Sequence, residues 1–217
     1  MTTEFQRARS TAAKQQREQA ILDAAATLGA ERGIRRVTLT DIADLVGMHK
    51  SALLRYFETR EQIFLRLTAA GWREWSPVLR AELAALAEAS PAAVAHVFAA
   101  TLTARPMFCD LLAQAPLNLE RNVSLESVRA FKLVTQEEVT RISGELRRRL
   151  PHLDEADTVD IIAAATALAG AFWQMATPGP QLEQLYRTDP LLTHAVVDVQ
   201  PRLTRILTAQ LTGLARR

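Results

Sequence analysis

The chain has 217 residues and a mass of 24.0 kDa, with 26 Lys and Arg against 24 Asp and Glu and a hydrophobic share of 48%. That balance excludes a polybasic tail and a disordered chain, and the length fits one large domain or two small ones around a buried core. The charge is unevenly placed: residues 1–66 hold 11 basic against 8 acidic side chains, and residues 67–217 hold 15 against 16.

In chain order, residues 1–13 read as a flexible basic arm. With Arg7, Arg9, Lys14 and Arg17, this end is either a solvated terminus or a segment that reaches phosphates. The hydrophobic period then predicts a helix over about Gln15 to Arg32, with Ala20, Ile21, Ala24, Ala25 and Leu28 inward and Gly33 ending it. Thr38-Leu39-Thr40-Asp41 has the spacing of a capping box, with Asp in place of Glu, so a short second helix starts there and stops at Gly47. A third short helix is expected over about Lys50 to Tyr56. Thr59 caps a fourth, which Pro77 should end or kink.

Ser90-Pro91 starts the next helix, because proline suits the first helical position. Pro106 and Pro116 bracket a short helix, Ser124 to Leu150 a long one, and Asp154 to Thr177 another with acids in its first turn. Pro178 to Pro201, broken by Pro178, Pro180 and Pro190 before Pro201 opens the last helix, reads as loop with one helical turn. A last helix is expected over Pro201 to Leu214. The fold class is all-α.

Two short helices joined by Gly47-Met48-His49 have the spacing of a helix-turn-helix. The arrangement suits DNA because a helix of ~10–12 Å diameter fills the major groove while its neighbour braces it on the backbone. Spacing alone is also met by ordinary helical pairs. The residues go further. Ile21-Leu22-Asp23-Ala24-Ala25, Gly33, Thr38-Leu39-Thr40-Asp41-Ile42-Ala43, Val46-Gly47-Met48 and Leu53-Leu54-Arg55-Tyr56-Phe57-Glu58-Thr59-Arg60-Glu61-Gln62-Ile63-Phe64 resemble the DNA-binding domain of the tetracycline-repressor family over about residues 14–66.

The resemblance implies a helix-turn-helix domain at 14–60 joined to a larger helical ligand-binding and dimerisation domain at 61–217. It also implies a homodimeric repressor that binds a palindromic operator in double-stranded DNA and is released by an unidentified small, largely apolar effector. Two positions depart from the family pattern: His49 stands where Ser usually caps the recognition helix, and Leu54 replaces the first aromatic of the usual run. The candidate DNA contacts are Thr38, Thr40, His49, Lys50, Ser51, Ala52, Arg55, Tyr56 and Arg60. Thr38, Thr40 and Arg60 lie at helix starts, where free N–H groups favour phosphates. Taken singly, Lys50 and Arg55 could be solvated charges, Tyr56 a packing residue, Thr38 only a cap, and His49 either a turn residue or a phosphate donor.

The remaining two-thirds is less specific. Trp72, Trp75, His96, Phe98, Phe108, Phe131 and Trp173 could line an effector cavity, as could Met107, Phe172 and Met175, although the same residues serve equally as ordinary core. The small-residue helix with Ala163, Ala167 and Gly170 and the final helix with Leu203, Leu207 and Leu211 are the candidate dimer face, which the resemblance also favours.

An enzyme is not expected. The four histidines are isolated, no metal-ligand spacing or glycine-rich phosphate loop occurs, and no cofactor is implied. A bare protein-interaction bundle would explain the apolar helices but not the helix-turn-helix framework. The lone Cys109 excludes an intrachain disulfide. The polar first residues carry no signal-peptide pattern, and the apolar run Ile161–Trp173 falls short of the ~20 residues of a membrane span. Together these predict a cytoplasmic chain with no membrane partner.

Overall fold

A computed structural model describes the backbone of residues 2–216 and the surroundings of side chains in residues 12–216. Among the described residues the regular structure is helical throughout. The first helix, α1 (Thr2–Arg32), begins far earlier than the periodicity predicts, so residues 2–13 extend it and do not form a separate arm. Its sequence explains this: Glu, Gln, Arg and Ala are good helix formers, and no Gly or Pro occurs before Gly29. The side chains of Arg7 and Arg9 lie outside the described residues.

Helices α2 (Leu39–Val46), α3 (Lys50–Leu53) and α4 (Arg60–Ala85) follow. The α3 helix is shorter than expected, but its turn continues: the amides of Tyr56 and Phe57 both donate to the Leu53 carbonyl, at 2.9 and 3.3 Å. Pro77 does not end α4. Proline removes one N–H from the ladder, yet Trp75 and Leu79 on either side are fully buried, and that packing carries the helix through.

Beyond it run α5 (Pro91–Thr103), α6 (Pro106–Gln114), α7 (Leu125–Arg149) and α8 (Glu155–Ala176). Three of their starts are capped as the sequence predicts. Ser90 and Ser124 accept from the amides three residues on, and Asp154 and Asp157 form a capping box that accounts for the acids there. The segment expected to be loop is more helical than that: α9 (Pro180–Thr188) and a 3-10 helix (Pro190–Ala195) lead into α10 (Val199–Leu214). Pro180 occupies the first turn of α9, where its missing N–H removes no bond, so it starts that helix and does not break it.

α4 runs from the N-terminal helices into the larger bundle and packs on α1, α5, α6 and α7. α8 is long and apolar enough by composition to cross a membrane, but Ile161, Ile162, Ala165 and Ala169 are buried, and the helix packs on α6, α7 and α10. α10 lies along α5 and α8. The centre of the bundle is filled by Trp72, Trp75, Phe98 and Phe108, which meet edge-on or tilted at 5.5–6.1 Å between ring centres. The indole N–H of Trp75 donates to Thr101 Oγ1 at 3.0 Å, so even its polar atom is satisfied inside.

Candidate nucleic-acid interface

The helix-turn-helix is built from local signals. Thr38 Oγ1 accepts from the Asp41 amide at 3.1 Å, and Asp41 Oδ2 accepts from the Thr38 amide at 2.8 Å and its hydroxyl at 2.6 Å. These bonds, then the Arg32 guanidinium at 3.5 Å, hold the Asp41 carboxyl below its ordinary range. Gly47 closes α2 at φ 71°, a left-handed conformation that a Cβ would strain. Ile42, Ala43, Leu53 and Phe57 are buried and fix the crossing of α2, α3 and α4. His49 precedes α3 without capping it through its side chain.

The face this leaves outward contains most of the expected contacts. Thr38, Thr40, His49, Lys50, Ser51 and Arg55 are outward to differing degrees, and Ala52 and Tyr56 are half-buried. The Thr38 hydroxyl is engaged by the cap at both its donor and its acceptor side. Arg60 departs from the expectation. Its guanidinium turns inward, donating to the carbonyls of Ile34 and Val37, pairing with Glu61 at 2.8 Å and lying 4.8 Å from the Phe64 ring centre. Only 15% of that side chain is exposed, so it braces the turn between α1 and α2. The helix-start position suggested a phosphate contact because sequence cannot show which way an arginine folds. Two exposed cations missed by the motif, Arg35 and Arg36, stand in the 3-10 turn just before Thr38. Their adjacency to the cap was the available signal.

Between α4 and α7 lies a groove of about 520 Å³, floored by Leu65, Ala69, Phe131 and Val134 and edged by Arg66 and Arg73. Glu58 also lines it, and its Oε1 accepts from the Ser124 amide, the Ser124 hydroxyl and the Ser127 hydroxyl, each at 2.9 Å. The Ser124 amide, chief among these, holds the Glu58 carboxyl below its ordinary range, as suits a carboxylate at a helix N-terminus. Of the expected cavity residues, Phe131 is in this groove. Trp173 lines a separate open depression with Val196, Val197 and Val199. Trp72, Trp75, Phe98 and Phe108 pack on one another in the bundle and line neither of these two depressions. His96 is exposed on α5, since its neighbours Ala95 and Val97 take the inward positions. Cys109 is buried, and desolvation pushes its thiol up to about 12.

The candidate dimer residues divide as well. Ala163 and Ala167 are exposed and form, with Val159, Ala171 and Met175, an outward apolar stripe on α8. Gly170 faces inward: a Cβ there would lie 2.8 Å from the Ala113 amide nitrogen, so it serves the close approach of α6 and α8. Leu203, Leu207 and Leu211 are also interior, at 0–1% exposure on a helix packed against α5 and α8. An apolar helical stripe looks the same whether it meets its own chain or another, and here its own chain covers it.

Residues 21–67 match the family described as "Bacterial regulatory proteins, tetR family", and residues 69–217 match "Tetracyclin repressor-like, C-terminal domain". The chain belongs to the tetracycline-repressor family. The HTH-type transcriptional repressor KstR2 of Rhodococcus jostii is 43% identical over 53 residues, which is 24% of this chain and about a quarter (26%) of that repressor. Two solved structures share the fold. FadR of Thermus thermophilus, in complex with lauroyl-CoA, is 22% identical with a TM-score of 0.53 over 83% of this chain and 95% of its own. FadR of Bacillus subtilis, in complex with stearoyl-CoA, is 14% identical with a TM-score of 0.55 over 88% and 98%. In this tetracycline-repressor-family chain the first match runs from within α1 into the start of α4, and the second from there through α10.

Proposed function

We propose that this protein is a ligand-responsive transcriptional repressor that acts in the cytoplasm. It binds a palindromic operator as a homodimer and is released by a small amphipathic molecule. The observation that carries this reading is the capped helix-turn-helix whose exposed face presents Lys50 and Arg55, with Arg35 and Arg36 beside it, within a chain of this family. Phosphates meet Arg35, Arg36 and the α2 N-terminus, while Ser51 and Arg55 face base edges. The outward stripe of α8 supports pairing across a two-fold axis, which sets two recognition elements about one DNA turn, ~34–36 Å, apart.

The effector reading rests on the groove between α4 and α7. Its volume is that of an ordinary ligand site, its floor is apolar, and Arg66 and Arg73 suit an anionic head group. The acyl-CoA complexes of the two FadR relatives support an effector of that amphipathic kind.

Fluorescence anisotropy with duplexes from the chain's own upstream region, against shuffled duplexes, tests the proposal. Wild type should bind one duplex specifically. Lys50→Ala and Arg55→Ala should each weaken binding, and a lost phosphate contact should lower the slope of log K against log salt by about 0.9. Equal binding of specific and shuffled duplexes, or wild-type affinity in both variants, would refute it.

A further inference from the structure

Asp110 in α6 is a buried carboxylate, 8% exposed, and its two oxygens face different parts of the molecule. Oδ2 accepts from the backbone amide of Ile34, 76 residues earlier, at 2.9 Å. Oδ1 accepts from the Gln174 side-chain amide, 64 residues later on α8, at 2.8 Å. Both donors are neutral, and among the described ion pairs none involves Asp110. Taking a carboxylate out of water for two neutral donors is unfavourable compared with apolar packing of the same volume, so bulk stability does not account for it. Its distinctive property is geometric, a fixed three-way junction.

The Ile34 amide begins the 3-10 turn that links α1 to α2, directly after Gly33 at φ 78°. Arg60 of α4 holds the carbonyls of the same turn, at Ile34 and Val37. The turn is therefore gripped at its N–H end by a carboxylate and at its C=O ends by a guanidinium, each matched in sign to the peptide dipole it meets. Thr38 and α2 follow immediately. At the other side, Gln174 lies next to Trp173 and on the helix that carries the outward stripe of Ala163 and Ala167.

We propose that Asp110 is a positioning residue for DNA binding: it fixes the orientation of the α2–α3 reading head relative to α8, through Ile34 on one side and Gln174 on the other. Its effect on operator spacing rests on the dimeric-regulator reading above. Because α8 sets the separation of two protomers in that reading, a loosened junction changes the spacing of the two reading heads more than it changes the fold of either.

The test uses the full-length chain as wild type, Asp110→Ala, Gln174→Glu and the double variant Asp110→Asn with Gln174→Glu. Alanine at 110 removes both acceptors, whereas asparagine alone would keep both bonds, accepting from Ile34 and donating to a Gln174 amide turned over to present its oxygen. Glutamate at 174 alone sets carboxylate against carboxylate. In the double variant both bonds are restored with the second reversed, the introduced asparagine amide donating to the introduced carboxylate.

Two readouts are taken. In hydrogen exchange, the segment containing Ile34 should exchange faster in each single variant and return to the wild-type rate in the double. In operator binding, each single variant should lose about tenfold or more in affinity, the equivalent of at least one buried hydrogen bond, and should discriminate less against half-sites moved apart or together by a base pair. The double variant should recover both.

Wild-type exchange at Ile34 in Asp110→Ala, or a folded double variant that exchanges and binds like the singles, would overturn the inference. Should Asp110→Ala fail to fold, Gln174→Ala, which removes one donor, takes its place with the same expectations. A wild type that shows no specific duplex binding would refute the regulator reading instead, and the exchange data would still decide the junction.

Discussion

Replacing Arg60 with methionine separates a brace from a DNA contact. The guanidinium donates to two carbonyls of the α1–α2 turn and also pairs with Glu61, and methionine removes all three while keeping most of the apolar stem over Phe64. A net hydrogen bond involving a charged group is worth about 1.5–3 kcal/mol, and partial exposure places each of these at the lower end. The two carbonyl bonds then amount to about 3 kcal/mol. The surface ion pair adds little. For a chain of this length, about 3 kcal/mol lowers Tm by about 6–12 °C. Arg60→Lys should fall between, because one ammonium cannot serve both carbonyls as a planar fork does. The assays are thermal unfolding at fixed protomer concentration and operator affinity across a salt series. A brace leaves the slope of log K against log salt unchanged, whereas loss of a phosphate contact lowers it by about 0.9. A Tm within about 1 °C of wild type, together with a lower salt slope, would refute the brace and restore Arg60 to the DNA-contacting set.

Ala167→Glu, on the outward stripe of α8, should leave each protomer folded, and in sedimentation it should shift dimer towards monomer. Leu207→Glu, by contrast, should unfold the bundle by burying an unpaired charge in a fully enclosed site, and a folded, monomeric Leu207→Glu would show α10 to be an interface. Glu58→Gln should destabilise the protein at neutral pH, measured by urea unfolding. Because the folded Glu58 carboxyl is held low, its contribution is fully present above the ordinary value near 4.5 and lost as pH falls through the folded value, so the difference between variant and wild type should close in acid. A gap that persists at low pH would mean that the Ser124 bonds do not depend on the ionised carboxylate.

What the sequence determined was most of what is decided within a few residues. Thr38 and Asp41, Ser90 before Pro91, Ser124, Asp154 and the left-handed Gly47 each act on their own or adjacent backbone, so their residue type and spacing were sufficient to place the helix ends. The exposure of Lys50 and Arg55 was legible for the same reason, since burial of Ile42, Ala43 and Leu53 leaves those positions outward. The misplacements also have local causes. Pro77, expected to end or kink α4, lies within that helix between buried neighbours, and Pro180, expected to break a loop, takes the first turn of α9, where proline is compatible with helix.

What only the tertiary structure decided was the use of side chains that act at long range. Leu203, Leu207 and Leu211 carry the same apolar stripe whether they meet α5 or another protomer. The Trp72–Trp75–Phe108 cluster is apolar and aromatic whether it lines a cavity or closes one. Arg60 can reach outward or fold back with equal local freedom. Asp110 meets partners 76 and 64 residues away. In each case the residue type states what chemistry is available, and the partner is chosen by which helices the packed bundle brings within reach.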